Sequence, residues 1–359
     1  MKITIVGGGN IGTQFAVNCA QKGHEVTIFT SSPECFQKHL MDVDSEGNLL
    51  HEGEICCATS DPKLAFEEAE LIMVTYPPSL MKEIAEIIYS YAGPKAWIGV
   101  VPGNGGCECA FRKCIERGNV FFGLERVPGI ARLVEKGKTV MTTGYKSEIH
   151  VASMPARHAE AIARLIESIF DIKTVVIPHF LNLTLTPSNP ILHTSRLRVL
   201  FQNWHEGVVY ERVPLFYEEW DDASSELLIA CDNEVQSICH KLNEFPLEYV
   251  LSLQVYYESP TVEAMTKKIR SIKAFRGLTA PTVSVDGGLI PDLQSRYFTA
   301  DFPFGLKVIQ QMGRLAGVPI PNIDANMDWY SGIAKSGPMF DYSEYGIENL
   351  KQFLEFYHM

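Results

Sequence analysis

Residues 2–12, reading Lys-Ile-Thr-Ile-Val-Gly-Gly-Gly-Asn-Ile-Gly, constrain this chain more than any other segment. Ile3, Ile5 and Val6 give the β-rich apolar run of a strand buried in a parallel sheet. The spacing Gly7-x-Gly9-x-x-Gly12 follows at once. In that pattern the first glycine makes a tight turn, the second lets backbone approach a pyrophosphate, and the third lets a helix pack on the strand. The helix that follows would point free N–H groups, and about half a positive charge, at the phosphates. Gly7, Gly9, Asn10, Ile11 and Gly12 therefore form the expected cofactor-binding turn.

The rest of the first half repeats the strand–helix alternation. Strands are predicted at Lys2–Val6, Glu25–Phe29, Leu71–Val74, Trp97–Val101 and Val120–Gly123, with helices at Ile11–Lys22, Leu80–Tyr91 and Glu108–Arg117. That alternation implies an α/β, doubly wound parallel sheet of the Rossmann type. Asp42–Ser60 reads as an excursion. Lys138–Thr143 and Glu148–Ala152 read as an antiparallel extension, followed by a helix at Ala156–Phe170 and a strand at Thr174–Ile177. Beyond residue 180 the spacing turns helical (Leu181–Asn203, Ala223–Leu242, Leu247–Tyr257, Thr261–Ser271, Phe302–Ala316, Tyr345–Tyr357), with no convincing strand. Two domains are expected, 1–180 binding NAD(P) and a mostly α-helical 181–359 closing over the substrate.

Charge and composition narrow the partners. A net charge of −12 argues against nucleic acid and anionic membrane surfaces. No apolar run reaches the ~18 residues of a membrane span. The chain begins directly on a strand without a signal-peptide pattern, so the cytoplasm is the expected compartment. The nine cysteines show no C-x-x-C spacing, so reduced thiols are expected and no metal site.

The second strand normally ends in an acid that holds the adenosine ribose 2′-hydroxyl. Here Phe29-Thr30-Ser31-Ser32 supplies hydroxyls instead, with Lys38 downstream. Thr30 and Ser31 therefore favour NADP over NAD, although they also suit a helix cap. Tyr76, in Tyr76-Pro77-Pro78, ends the third strand where the adenosine side is commonly covered. Val101-Pro102-Gly103-Asn104-Gly105-Gly106 ends the fourth, which puts Asn104 within reach of a substrate carboxylate or the nicotinamide. Arg132 is a second candidate cation for substrate.

Three segments of the second half carry a resemblance: Asn189-Pro190-Ile191-Leu192-His193, Val213-Pro214-Leu215-Phe216-Tyr217, and Val285-Asp286-Gly287-Gly288 running on to Arg296-Tyr297-Phe298-Thr299-Ala300-Asp301-Phe302-Pro303-Phe304-Gly305. With the glycine fingerprint, and in this order, they resemble the octopine/nopaline (opine) dehydrogenase family over nearly the whole chain. The resemblance implies condensation of an amino acid with a 2-oxo acid and reduction of the imine by NAD(P)H. It makes His193 the general acid/base, Asp301 its partner and Arg296 a contact for substrate carboxylate. Thr194 stands where the family commonly has proline, and the region around 257–262 is short, which bears on the amine donor.

On their own chemistry these residues admit other roles. His193 shares a helical face with Leu197 and Leu200 and would point inward, as a core histidine also would. Asp301 sits in a good helix N-terminal sequence. Arg296 could pair with Asp292. A ketopantoate-reductase-like 2-hydroxy-acid dehydrogenase, relying on a lysine such as Lys241 or Lys273, and a non-catalytic dinucleotide sensor are the rival functions. Amino acid and 2-oxo acid are the expected partners, and a homodimer is compatible with such a chain.

Overall fold

The computed structural model describes residues 1–186, 188–334 and 337–359. It divides into two compact units, Met1–Thr184 with Met359, and Leu185–His358.

The first unit is built on an eight-stranded sheet. Its strands are β1 (Lys2–Val6), β2 (Glu25–Phe29), β5 (Cys57–Thr59), β6 (Leu71–Val74), β7 (Trp97–Val100), β8 (Phe121–Leu124), β11 (Glu148–Met154) and β12 (Lys173–Val176), and a separate four-stranded sheet holds β3 (His39–Val43), β4 (Leu49–Glu54), β9 (Gly129–Glu135) and β10 (Thr139–Tyr145). The main sheet runs β12-β11-β8-β7-β6-β1-β2-β5. All neighbouring pairs are parallel except β8 with β11. The chain moves outward from β1 through β2 to β5, then returns to place β6 on the other side of β1. That reversal is the crevice where doubly wound sheets bind nucleotides.

One expectation needs correction here. Only the second strand of the expected extension, β11, joins the main sheet. Lys138–Thr143 falls in β10, which pairs antiparallel with β9 and parallel with β3 in the smaller sheet. Long-range pairing decides the sheet a strand joins, and local alternation carries no such information. The excursion at 42–60 supplies much of that smaller sheet, which packs over the first helix, Asn10–Gln21: Gln14 donates to Thr142 Oγ1 (2.7 Å) and Asn18 to the Tyr145 hydroxyl (2.8 Å).

The second unit is mostly helical, as expected, around the twenty-residue helix Asp222–Lys241. The predicted helix Leu181–Asn203 is two helices, Leu181–Thr184 and Ser188–Phe201, and Pro187 lies outside the described residues. A strand pair does occur here: β13 (Thr282–Val285) and β14 (Gly288–Pro291) form a hairpin closed by Asp286-Gly287. Gly287 and Gly288 have φ of +86° and +146°, conformations that an Asp-Gly turn exists to supply. A helix at Pro321–Ile333 was also not anticipated; Pro321 at its first turn is the start signal for it.

Asp232, on the long helix, is buried, with Oδ2 accepting the Leu253 N–H (2.7 Å). Burial pushes its carboxyl up to about 6 from 3.8. A raised folded-state pKa favours the protonated form, so stability is greatest below the unfolded pKa and falls as pH rises from about 4 through 6. Two pKa units correspond to about 3 kcal/mol. Asp232→Asn, which keeps the acceptor for Leu253, should raise the unfolding midpoint at pH 7.5 and give no advantage at pH 4, checked by thermal melts at both.

Candidate active site

The glycine turn is built as its spacing requires. Gly7 has φ +111°, and a Cβ there would stand 2.6 Å from Thr75 Oγ1 and 3.2 Å from the Tyr76 ring. At Gly12 a Cβ would lie 1.8 Å from the Gly7 carbonyl oxygen, so only glycine permits this closeness of helix and turn. At Gly9 a Cβ would meet nothing within 4 Å, and no side chain caps the helix there. Open space before uncapped N–H groups fits a pyrophosphate.

Around that turn the structure sorts the other candidates. Ile11 packs on the core and Asn10 is exposed, with its Oδ1 accepting the Leu133 N–H (2.8 Å). Arg132, next to Leu133 on β9, is exposed and donates to the Ala131 carbonyl (2.9 Å). It therefore stands with the dinucleotide turn rather than with Asn104. Thr30 is buried, and its Oγ1 accepts the Ser32 N–H (3.3 Å); Ser31 and Lys38 are exposed. Tyr76 is half-buried beside Gly7, and burial pushes its hydroxyl pKa up.

Asn104 rides on a loop fastened to the end of β8 by the Gly103 N–H to Leu124 carbonyl bond (2.7 Å). Gly103 and Gly123 touch so closely that a Cβ on Gly103 would lie 2.5 Å from the Gly123 Cα. The loop thus sits at the carboxyl edge, beside the end of β8, which Glu125 and Arg126 follow. There Glu125 accepts from His150 Nδ1 (2.7 Å) and lies 3.3 Å from Arg126 Nε; this bond raises the His150 pKa. The expected helix after Asn104 is broken into Cys107–Ala110 and Arg112–Arg117. Its first turn carries its own buried acid, Glu108, which accepts from Thr184 Oγ1 (2.5 Å).

In the second unit, His193 and Asp301 meet. Nδ1 of His193 lies 2.8 Å from Asp301 Oδ2, and Nε2 lies 2.9 Å from the Tyr217 hydroxyl. A carboxylate only accepts, so Nδ1–H donates to Asp301 and Nε2 is the acceptor for Tyr217 in the neutral ring. The imidazole side chain is 12% exposed and the carboxylate 20%: enclosed, yet open to a ligand. Phe216 and Tyr297 wall the ring edge-on, at centroid distances of 5.8 and 4.7 Å.

Asp301 does not begin a helix. It lies inside the wide winding Tyr297–Leu306, which runs into Lys307–Ala316 and closes with the Lys307 N–H on the Phe302 carbonyl five residues back. Pro303 offers no N–H to an ordinary helical ladder, and a wider turn accommodates it. The capping role is thus excluded. Arg296 precedes this winding, exposed, with no hydrogen bond or ion pair among the described residues. Asp292, its supposed partner, accepts the Gln294 N–H instead (3.1 Å). Lys241 and Lys273 are exposed.

Two residues of this site have no role in the sequence reading. Tyr217 is buried, its ring stacked on Phe275 at 4.1 Å; burial, then the neighbouring Tyr297 and Tyr257 hydroxyls, drives its pKa far up. Arg196, one turn beyond His193, is wholly buried. It donates to the carbonyls of Phe216 (3.0 Å), Leu215 (3.4 Å) and Glu219 (2.6 Å), to Asp221 (2.8 Å) and to Ser224 Oγ (3.1 Å), and lies 5.4 Å above the Trp220 ring. A charged residue inside an apolar helical run was the available signal.

Both units are similar to known proteins. Residues 176–334 match the family model for the alpha-helical domain of NAD/NADP octopine/nopaline dehydrogenase, and residues 2–102 that for the N-terminus of NAD-dependent glycerol-3-phosphate dehydrogenase. Over its helical unit the chain is similar to the octopine/nopaline dehydrogenases. It is 27% identical to octopine dehydrogenase of Mizuhopecten yessoensis, over 92% of this chain and 89% of that one. An opine dehydrogenase of Arthrobacter sp. (strain 1C) is 25% identical, over 92% and 89%. A solved octopine dehydrogenase with NADH and L-arginine shares the fold at a TM-score of 0.86 and 23% identity, covering 99% of this chain and 98% of that one. Among the described residues no helix is long and apolar enough to cross a membrane.

The Arg196 clamp yields a stability prediction. Arg196→Met strands buried carbonyls and should cost about 3 kcal/mol, read by urea unfolding. Dinucleotide affinity, read by fluorescence titration, should not move. A variant as stable as the parent would show that the clamp bears no load.

Proposed function

We propose that this chain is an NAD(P)H-dependent opine-type dehydrogenase that joins an amino acid to a 2-oxo acid of the pyruvate type. The observation that carries the reading is the His193–Asp301 pair. A half-enclosed imidazole, tautomer held by a carboxylate, is the group this chemistry needs.

The steps assign themselves by residue type. Arg296 grips the oxo acid's carboxylate by a two-pronged bond, and Asn104 fixes a second polar group of the substrates. Arg132, whose neighbour Leu133 is hydrogen-bonded to Asn10, serves the phosphates of the dinucleotide. His193 takes a proton from the substrate ammonium, leaving an amine whose lone pair attacks the oxo carbon. It returns that proton to the departing hydroxyl, water leaves, and an iminium remains. Asp301 stabilises the charged imidazole between the two transfers. When bound, the reduced nicotinamide supplies the hydride that converts the iminium to a secondary amine.

The hydroxyls at Thr30 and Ser31, with exposed Lys38 near them in sequence, support NADP as the preferred form, because no acid there repels a 2′-phosphate. The partners are small molecules, and the compartment is the cytoplasm.

A screen of amino acids against 2-oxo acids, followed at the reduced-nicotinamide absorbance, tests the reading. Oxidation that requires both substrates is expected; oxidation by the oxo acid alone would point to a 2-hydroxy-acid dehydrogenase. His193→Ala should lose ~10²–10⁴-fold in kcat while binding NADPH as before. Ser31→Asp should turn the preference from NADPH to NADH, read as the ratio of the two kcat/KM values; an unchanged ratio would remove the hydroxyls from cofactor choice.

A further inference from the structure

The imidazole nitrogen that the opine reading uses is already covered. Nε2 of His193 faces the Tyr217 hydroxyl at 2.9 Å, while Asp301 takes Nδ1. The covering phenol is fixed from several sides. Its ring stacks on Phe275 (4.1 Å, 19°) and runs parallel to Trp220 (6.4 Å, 8°), and it meets Phe216 edge-on at 4.8 Å. Its backbone lies in the segment that Arg196 clamps and that Phe216 ties through its N–H to the Leu278 carbonyl (2.9 Å). Swinging this ring aside to bare Nε2 would sacrifice stacking and disturb a segment held by a buried cation.

We propose that Tyr217 is the catalytic residue that touches the substrate nitrogen, relaying its proton to His193. This rests on the opine reading and deepens it. In the forward transfer an ammonium N–H bond breaks as the proton moves to the phenol oxygen. In the same event the phenol's own proton passes to Nε2, and the imidazole becomes imidazolium against Asp301. The phenol ends as it began, and one proton has moved from nitrogen to ring. Reversing the relay delivers that proton to the departing hydroxyl.

Two further observations agree. Burial pushes the Tyr217 hydroxyl pKa so far up that a lone phenolate is disfavoured, so the group is suited to passing a proton and unsuited to holding a charge. Tyr297, half-buried and edge-on to the imidazole at 4.7 Å, follows Arg296 directly in the chain. The proposed carboxylate grip thus stands next to a residue that walls the imidazole. Tyr217 belongs to the segment Val213–Tyr217 that marks the family resemblance, and the relay accounts for its presence there.

Tyr217→Phe removes one oxygen and keeps the stacked ring. In the purified full chain, with a substrate pair found by the screen, kcat should fall about 10²-fold, while KM for the oxo acid and NADPH affinity stay within about twofold of the parent. Rates in mixtures of H2O and D2O should give a curved proton inventory for the parent, two protons being in flight, and a straight line for the variant. An undiminished kcat would overturn the relay and mean that substrate displaces the phenol. Should Tyr217→Phe not fold, Phe275→Leu keeps the hydroxyl but unseats the ring; it should lower kcat less and retain the curved inventory, and a straight inventory there overturns the relay. If the parent shows no amine-dependent turnover with any pair, the opine reading has failed first and the relay falls with it.

Discussion

The buried guanidinium of Arg196 is the interaction on which the candidate site depends. A cation removed from water is costly unless hydrogen bonds replace its hydration, and here three carbonyls, a carboxylate and a hydroxyl do so. All come from one short stretch, Leu215 to Ser224. That stretch must therefore adopt a single path, and the path decides where the Tyr217 ring stands. Asp221 serves twice, accepting from Arg196 and capping helix Asp222–Lys241 through the Ser224 N–H (2.8 Å). Anchoring the loop and starting the long helix are one event.

The first unit solves a different problem, that of bringing backbone close to a polyanion. There the chain uses absence: no side chain at Gly7, Gly9 or Gly12, and no cap on the first helix. The smaller sheet then covers that helix, and through Leu133 it also touches the exposed Asn10. In each unit the functional groups are placed by backbone acceptors and donors as much as by side-chain packing, which explains why apolar periodicity says little about them.

That contrast decides what could be read in advance. The glycine turn was legible because its steric demands are local and each glycine has its own reason. His193 and Asp301 were legible as residue types, and their motif order supplied the pairing across 108 positions. The Asp286-Gly287 hairpin carried its turn signal openly, but the flanking strands expose Val283 and Val285 and lack a clean buried face. The membership of Lys138–Thr143 in a second sheet depended on a partner, β3, far away in sequence. Tyr217 and Arg196 escaped for one reason: a phenol and a cation satisfied by an irregular loop leave no period to detect.

The wide winding at Tyr297–Leu306 has a consequence for phase. In an α-helix, residues five apart differ by about 140° around the axis, since each step turns about 100°. A ladder that closes over five residues brings such a pair nearly onto one side, a turn apart. Arg296 and Asp301 are five apart. The broad coil around Pro303 therefore carries the backbone positions of Arg296 and Asp301 round to nearly one side, where an ordinary helix of the same composition would leave them divergent.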